Sequence, residues 1–383
     1  MKRILVVGML DSVHFARWMS QFRNQKIDIT IFPSTKFKHL HPDLKSMIQA
    51  GEIKFYKKYS SRVLRFSGYL DYLRFEFPRI WRRMSSRGEV LRHYLKESEI
   101  ETLHLIELQH AGYLFLETGI GRARTFQVIS TNYGSDLIYF MSISSHREML
   151  IELMQQSDFY SAECRRDYEL ARELKFSGVE LPLMPNAGGF PDEILDQNII
   201  PLHNRKIVYI KGYGGKFGLG VMSLRVASRL LDEFSDIEVV VVSLTDDLRE
   251  EARVIQAKHK TRFKVYRVHD RLNRGQILNI LGKSIVCIGA SRSDGISTTF
   301  LEAVVSGAVA IQTDTSCANE WTDKGFFATV VPPIEDDIFN SAVEILTNPF
   351  AYESKILDNL QLSKSILSYK VLLPLAYSFY GLE

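Results

Sequence analysis

Cysteine is scarce in this chain. Three stand in 383 residues, Cys164, Cys287 and Cys317, far apart and without the spacing of a metal site. That argues against a disulfide framework or a zinc module and fits a reducing compartment. Long apolar runs are missing too: nothing approaches the ~18 consecutive apolar residues a membrane span requires. The opening "MKRILVVGMLDS" is basic and then briefly apolar, without a signal peptide's cleavage region, so it predicts a buried first β-strand. A dinucleotide fingerprint, G-x-G-x-x-G, is absent from the first strand–helix turn, "VGMLDSVHFARW", whose one glycine is Gly8. The P-loop spacing G-x-x-x-x-G-K-[ST] does not occur, nor does a short repeat, a low-complexity tract or an acidic metal cluster.

What is present describes a soluble globular protein, 45% hydrophobic and 24% charged. The length exceeds one ordinary core and predicts two domains. A net charge of +3 hides an uneven distribution. Residues 54–96 hold twelve Lys and Arg against three acids, a local surplus of nine, interleaved with aromatics and leucines ("RVLRFSGYLDYLRFEFPRIWRRM"). The remainder is slightly acidic. Nucleic-acid binding needs a more general basicity, so no nucleic-acid partner is expected. A basic, apolar segment suits an anionic membrane surface. The expected location is cytoplasmic, peripheral on the inner face of the membrane.

Short β-branched runs alternate with amphipathic stretches: "RILVVGM", "SVHFARWMSQFRNQ", "DITIFPS", then "LHLIEL", "RTFQVIST" and "SDFYSAE". Such alternation predicts a parallel sheet flanked by helices. It breaks at "LPLMPNAGGFPDE" and resumes with "KIVYIKGY", "VMSLRVASRLLDEF", "IEVVVVSL", "FKVYRV", "IVCIGAS", "TFLEAVVSG" and "VAIQTD". The fold class is therefore α/β, two Rossmann-like doubly wound domains with a cleft between their strand ends. The expected division is 1–185 for the first domain, 186–204 for a linker and 205–365 for the second. A helix over 366–383 is expected to pack back on the first domain.

Two stretches carry the chemistry. "IKGYGGKFGLG" opens the second domain; its glycines let backbone approach a ligand, and Lys211 and Lys216 bracket it, as a diphosphate would require. A flexible surface turn with solvated lysines fits it equally well. "SRSDGISTTFLEA", residues 291–303, sets Asp294 and Glu302 eight positions apart around a glycine and hydroxyls. Thr299 and Glu302 also match the capping-box pattern. "TDD", 245–247, reads as a helix cap rather than a metal motif.

In that order, about eighty residues apart, the two stretches resemble the C-terminal domain of glycosyltransferase family 4, retaining, nucleotide-sugar-dependent enzymes of the GT-B fold. The resemblance rests on Asp294-x7-Glu302 followed by "EAVVSGAVA". It extends to "STNYGSD", "SDFYSAECRRDYELARELKF" and "MPNAGG", and is weak over 35–100. Asp294 stands where that family more often has Glu, and Tyr213 where it has Arg. The resemblance implies an acceptor-binding first domain and a nucleotide-sugar-binding second domain. Glu302 would hold the ribose hydroxyls and Asp294 a hydroxyl of the donor sugar. Backbone of Gly295, Ile296, Ser297 and Thr298 would face the diphosphate or sugar. Lys211, Gly212, Tyr213, Lys216 and Arg292 complete the expected donor site, with Asp294 and Lys216 taking part in catalysis.

From the first domain His14 and Asp136 are catalytic candidates. A surface position for His14 and a helix-cap role for Asp136 remain open beside that reading, as do ordering and direct-contact roles for Glu320. No metal and no cofactor is expected beyond a UDP- or GDP-sugar as co-substrate. The implied activity is hexosyl transfer to a glycan or lipid-linked acceptor in surface polysaccharide biosynthesis. The rivals are a nucleotide-sugar epimerase or hydrolase of the same fold, and a non-catalytic sugar-nucleotide-binding protein.

Overall fold

A computed structural model describes residues 2–37, 39–56 and 86–382. Residues 57–85 lie outside them, and with them most of the 54–96 segment expected at a membrane surface. The chain divides into two compact units, Met1–Gly189 with Tyr369–Glu383, and Phe190–Ser368.

Unit 1 is built on a parallel sheet of strands β1 (Arg3–Gly8), β2 (Asp28–Pro33), β3 (Lys54–Phe55), β4 (Thr102–Ile106), β5 (Gln127–Thr131), β6 (Phe159–Ser161) and β7 (Val179–Glu180). Their spatial order is β3-β2-β1-β4-β5-β6-β7, every pairing parallel. β1 and β4 are buried almost end to end rather than alternately, as in a sheet covered on both faces. The order reverses between β1 and β4, and ligands of such sheets bind outside the carboxyl ends at that point. Gly8 closes β1 where a Cβ would collide with the Phe15 ring. Its lack of a side chain thus permits close helix–strand packing.

Helix Tyr369–Phe379 belongs to this unit although it ends the chain. It sets Leu372, Ala376 and Phe379, with Tyr380 beyond it, in a core shared with Trp18, Phe22 and Ile4. Trp18 Nε1 donates to Tyr380 Oη at 3.2 Å, and that hydroxyl lies 2.8 Å from His104 Nδ1. The other nitrogen of His104 is 2.7 Å from Thr131 Oγ1. Burial pushes the His104 pKa down to about 3, so the ring is neutral at any ordinary pH.

Unit 2 repeats the plan with β8 (Ile207–Lys211), β9 (Glu238–Leu244), β10 (Phe263–Arg267), β11 (Ser284–Gly289), β12 (Val309–Thr313) and β13 (Thr329–Val331). The order is β10-β9-β8-β11-β12-β13, again parallel throughout. Separate apolar clusters fill its two faces, one around Leu224, Val239 and Ile288, the other around Tyr209, Phe300 and Trp321. Here the reversal falls between β8 and β11. Among the described residues no helix is long and apolar enough to cross a membrane.

Candidate functional site

The two motif stretches of unit 2 leave the carboxyl ends of β8 and β11, the two strands that flank its reversal. They are joined directly: Gly218 pairs with Ser291 in an isolated bridge, and Arg292 N donates to Phe217 O at 2.6 Å. Sequence separation of about eighty residues is thereby removed. Lys211, the last residue of β8, places Nζ 3.4 Å from Asp294 Oδ2 and 3.3 Å from Ser297 Oγ. The same ammonium lies 5.5 Å from the centroid of the Tyr213 ring. Burial raises the Tyr213 pKa, with Lys211 opposing the shift and Asp294 adding to it. Both members of the Lys211–Asp294 pair are about a quarter exposed, within reach of a ligand. Lys216 and Arg292 are exposed on the same two loops.

Glu302 is different in kind. It is 2% exposed, on helix Thr298–Val305, with Oε1 4.0 Å from Arg274 Nε. Arg274 stacks its guanidinium 4.1 Å from the Phe190 ring centroid. A carboxylate at such depth needs charge and hydrogen-bond compensation to be tolerated. Sequence reasoning gave Arg274 no role; it stands in "RLNRGQIL", remote from either motif, and no spacing marks it. Ile296 turns its side chain into the core, and Gly295 O accepts from Cys317 N at 2.9 Å. Glu320 lies on helix Ala318–Thr322, just beyond Cys317.

Two expectations about helix caps in unit 2 are corrected. The helix begins at Thr298 with Ser297 as its N-cap residue, so Thr299 is inside the first turn and forms no capping box with Glu302. Thr245 makes no side-chain cap either; its Oγ1 instead accepts from Gly214 N at 3.0 Å, and Asp247 Oδ2 accepts from Gly215 N at 2.9 Å. The Gly214 and Gly215 amides are thus engaged within the protein. Gly212 N is also engaged, by Val242 O at 2.8 Å.

In unit 1 the residues after β1, β4 and β5 gather at the corresponding reversal. His14, exposed on helix Val13–Ser20, has its ring centroid 5.3 Å from that of Tyr133. Asp136 is 7% exposed and is not a helix cap, the N-cap residue being Gly134. Its Oδ2 accepts from Leu108 N at 3.0 Å and Tyr133 N at 3.1 Å, which ties the β4 and β5 loops together. Burial foremost, then the charge of Glu107, pushes the Asp136 pKa up to about 7.

Glu107 and His110 had no part in the sequence reading. Glu107, 4% exposed, adopts φ of +73°, which L residues rarely take. Its carboxylate accepts from His110 N at 2.5 Å and Ala111 N at 2.6 Å and lies 2.6 Å from His110 Nδ1. A π-helical turn, Leu108–Gly112, follows at once. Backbone strain and π-turns concentrate at functional sites. The available signal was a Glu and a His three apart directly after an apolar strand.

No family model matches the sequence, and no curated protein matches it. Solved structures do match in fold. Sucrose-phosphate synthase from Thermosynechococcus elongatus superposes with a TM-score of 0.71 at 12% identity, over 99% of this chain and 97% of that one. HepE from Anabaena, in complex with UDP-glucose, gives 0.70 at 9% identity over 100% of both chains. An α,α-trehalose-phosphate synthase (UDP-forming) from Burkholderia xenovorans, in complex with glucose-6-phosphate, gives 0.68 at 13% identity, over 98% and 99%. The chain thus has the two-domain α/β fold of GT-B glycosyltransferases, as expected from its sequence.

Proposed function

We propose that this chain is a retaining glycosyltransferase of the family 4 type. It moves a hexosyl group from a UDP- or GDP-sugar to a glycan or lipid-linked acceptor in surface polysaccharide assembly. One observation carries the reading: buried Glu302 and the partly exposed Lys211–Asp294 pair lie on the loop and helix after β11 and the end of β8, flanking the reversal of the unit 2 sheet. A ribose diol donates two hydrogen bonds to Glu302, and Asp294 receives a hydroxyl of the donor sugar. Cleavage of the sugar–phosphate bond leaves negative charge on the nucleoside diphosphate. Lys211, Lys216, Arg292 and the amino end of helix Thr298–Val305 balance that charge without a metal. His14 and Asp136 belong to the acceptor side, Asp136 as the tie that holds its loops.

Calorimetric titration with UDP, GDP and their sugars tests the donor site. Glu302→Gln should weaken donor binding by about 1–3 kcal/mol through loss of charge-assisted bonds. Lys216→Ala should slow release of nucleoside diphosphate far more than it lowers the melting temperature, since an exposed lysine adds little to stability. Turnover should survive EDTA. Failure of every nucleotide to bind the wild type would defeat the reading. Diphosphate release without a glycosylated product would point to a hydrolase.

A further inference from the structure

Thr245 and Asp247 stand just beyond β9, away from both motifs, yet they hold the loop that carries Lys216. Gly214 N donates to Thr245 Oγ1 and Gly215 N to Asp247 Oδ2. Thr245 N returns a bond to Gly212 O at 3.0 Å, so both partners in the chain are fastened to one another. The Asp247 pKa is lowered, first by the Thr245 hydroxyl and then by the Gly215 amide. Fit is close enough to exclude a side chain: a Cβ on Gly214 would collide with the Asp247 carboxylate and lie 2.8 Å from Thr245 Oγ1. Gly215 then turns with φ of +68°, a conformation glycine accepts freely, and Lys216 follows.

Asp247 is exposed, and neither residue caps the following helix. An aspartate beside an intended diphosphate site also opposes the ligand's charge, a cost that needs a return. We infer that Thr245 and Asp247 are positioning residues for the donor diphosphate, acting through the glycine loop to set where Lys216 presents its ammonium. The inference rests on the proposed donor site. It assigns the amides of Gly214 and Gly215 to the latch and leaves anion recognition on this loop to the lysines.

A double-mutant cycle with UDP as the probe tests it. Asp247→Ala should weaken UDP binding about tenfold with little change in melting temperature, and Asp247→Asn, which keeps an acceptor oxygen, should restore most of it. Because the latch acts through Lys216, Asp247→Ala should cost almost nothing in a Lys216→Ala background. Equal losses in both backgrounds would overturn the inference, as would unchanged binding in Asp247→Ala. Amide exchange at Gly214 and Gly215 is read without ligand: it should accelerate in Asp247→Ala, and unchanged exchange would show that no latch exists. If wild-type protein binds no UDP or GDP while that acceleration is seen, the latch is real but the donor-site reading, and the positioning role with it, is wrong.

Discussion

Asp136 carries a burden that its neighbours only partly relieve. Two amides, from Leu108 and Tyr133, favour its charged form, but burial and the Glu107 carboxylate outweigh them and raise its pKa from 3.8 to about 7. Between those values the folded protein holds a proton that the unfolded chain has released. Stability from this group is therefore fully present below about pH 4, declines as pH rises towards 7 and is flat beyond. Asp136→Asn keeps an oxygen for the two amides and removes the titration. The variant should gain stability relative to wild type as pH rises from about 4 to about 7, with a slope of at most about 1.4 kcal/mol per pH unit. Urea midpoints at several pH values measure this. A constant difference between variant and wild type would show that Asp136 titrates normally. The same scale shows why the candidate site was only partly legible. Asp294 and Glu302 are recognisable because one loop and one helix fix their spacing. Arg274 matters through a contact with Glu302 made across loops, which no periodicity records, while Glu107 and His110 carry only the weak local signal of two such residues three apart.

At the scale of elements, the strands were readable because β-branched runs buried on both faces leave an uninterrupted apolar signature, as in β1 and β11. The last helix was readable as apolar, "YKVLLPLAYSF", and was expected on the first domain, but no local rule names the side chains it meets. Its partners, Trp18, Phe22 and His104, lie more than 260 residues earlier. Each large apolar side chain that it buries contributes about 1.5–3 kcal/mol, and Leu372, Phe379 and Tyr380 together approach the whole stability of an ordinary domain. Ending the chain after Ser368 should unfold unit 1 at room temperature while unit 2 retains its fold. Limited proteolysis with mass mapping reads this directly. Protection of unit 1 equal to that in the intact protein would mean that the helix contributes little. Tyr380→Phe is the milder form: it removes only the hydroxyl between Trp18 and His104, and a loss of about 1 kcal/mol is expected.

For the whole molecule the decisive quantity is charge distribution. The chain is nearly neutral overall, with a net charge of +3, so the surplus of nine over residues 54–96 makes the rest acidic by six. If the segment meets an anionic surface as proposed, such a surface should attract it and repel the remainder, orienting the molecule. Each basic residue near such a surface is worth about 1 kcal/mol. At physiological salt the field decays over about 8 Å, so exposed charges keep only part of that. Even half would suffice for measurable binding, and interleaved Phe, Tyr, Leu and Trp add an apolar contribution that salt does not screen. The protein should co-sediment with phosphatidylserine vesicles at low salt, much less at 0.5 M salt, and not with neutral vesicles. Replacing Arg79, Arg82 and Arg83 by Gln should lower the bound fraction without changing nucleotide binding. Binding that ignores lipid charge and salt would assign the contact to apolar residues alone. No binding at all would leave a soluble glycan as the better acceptor.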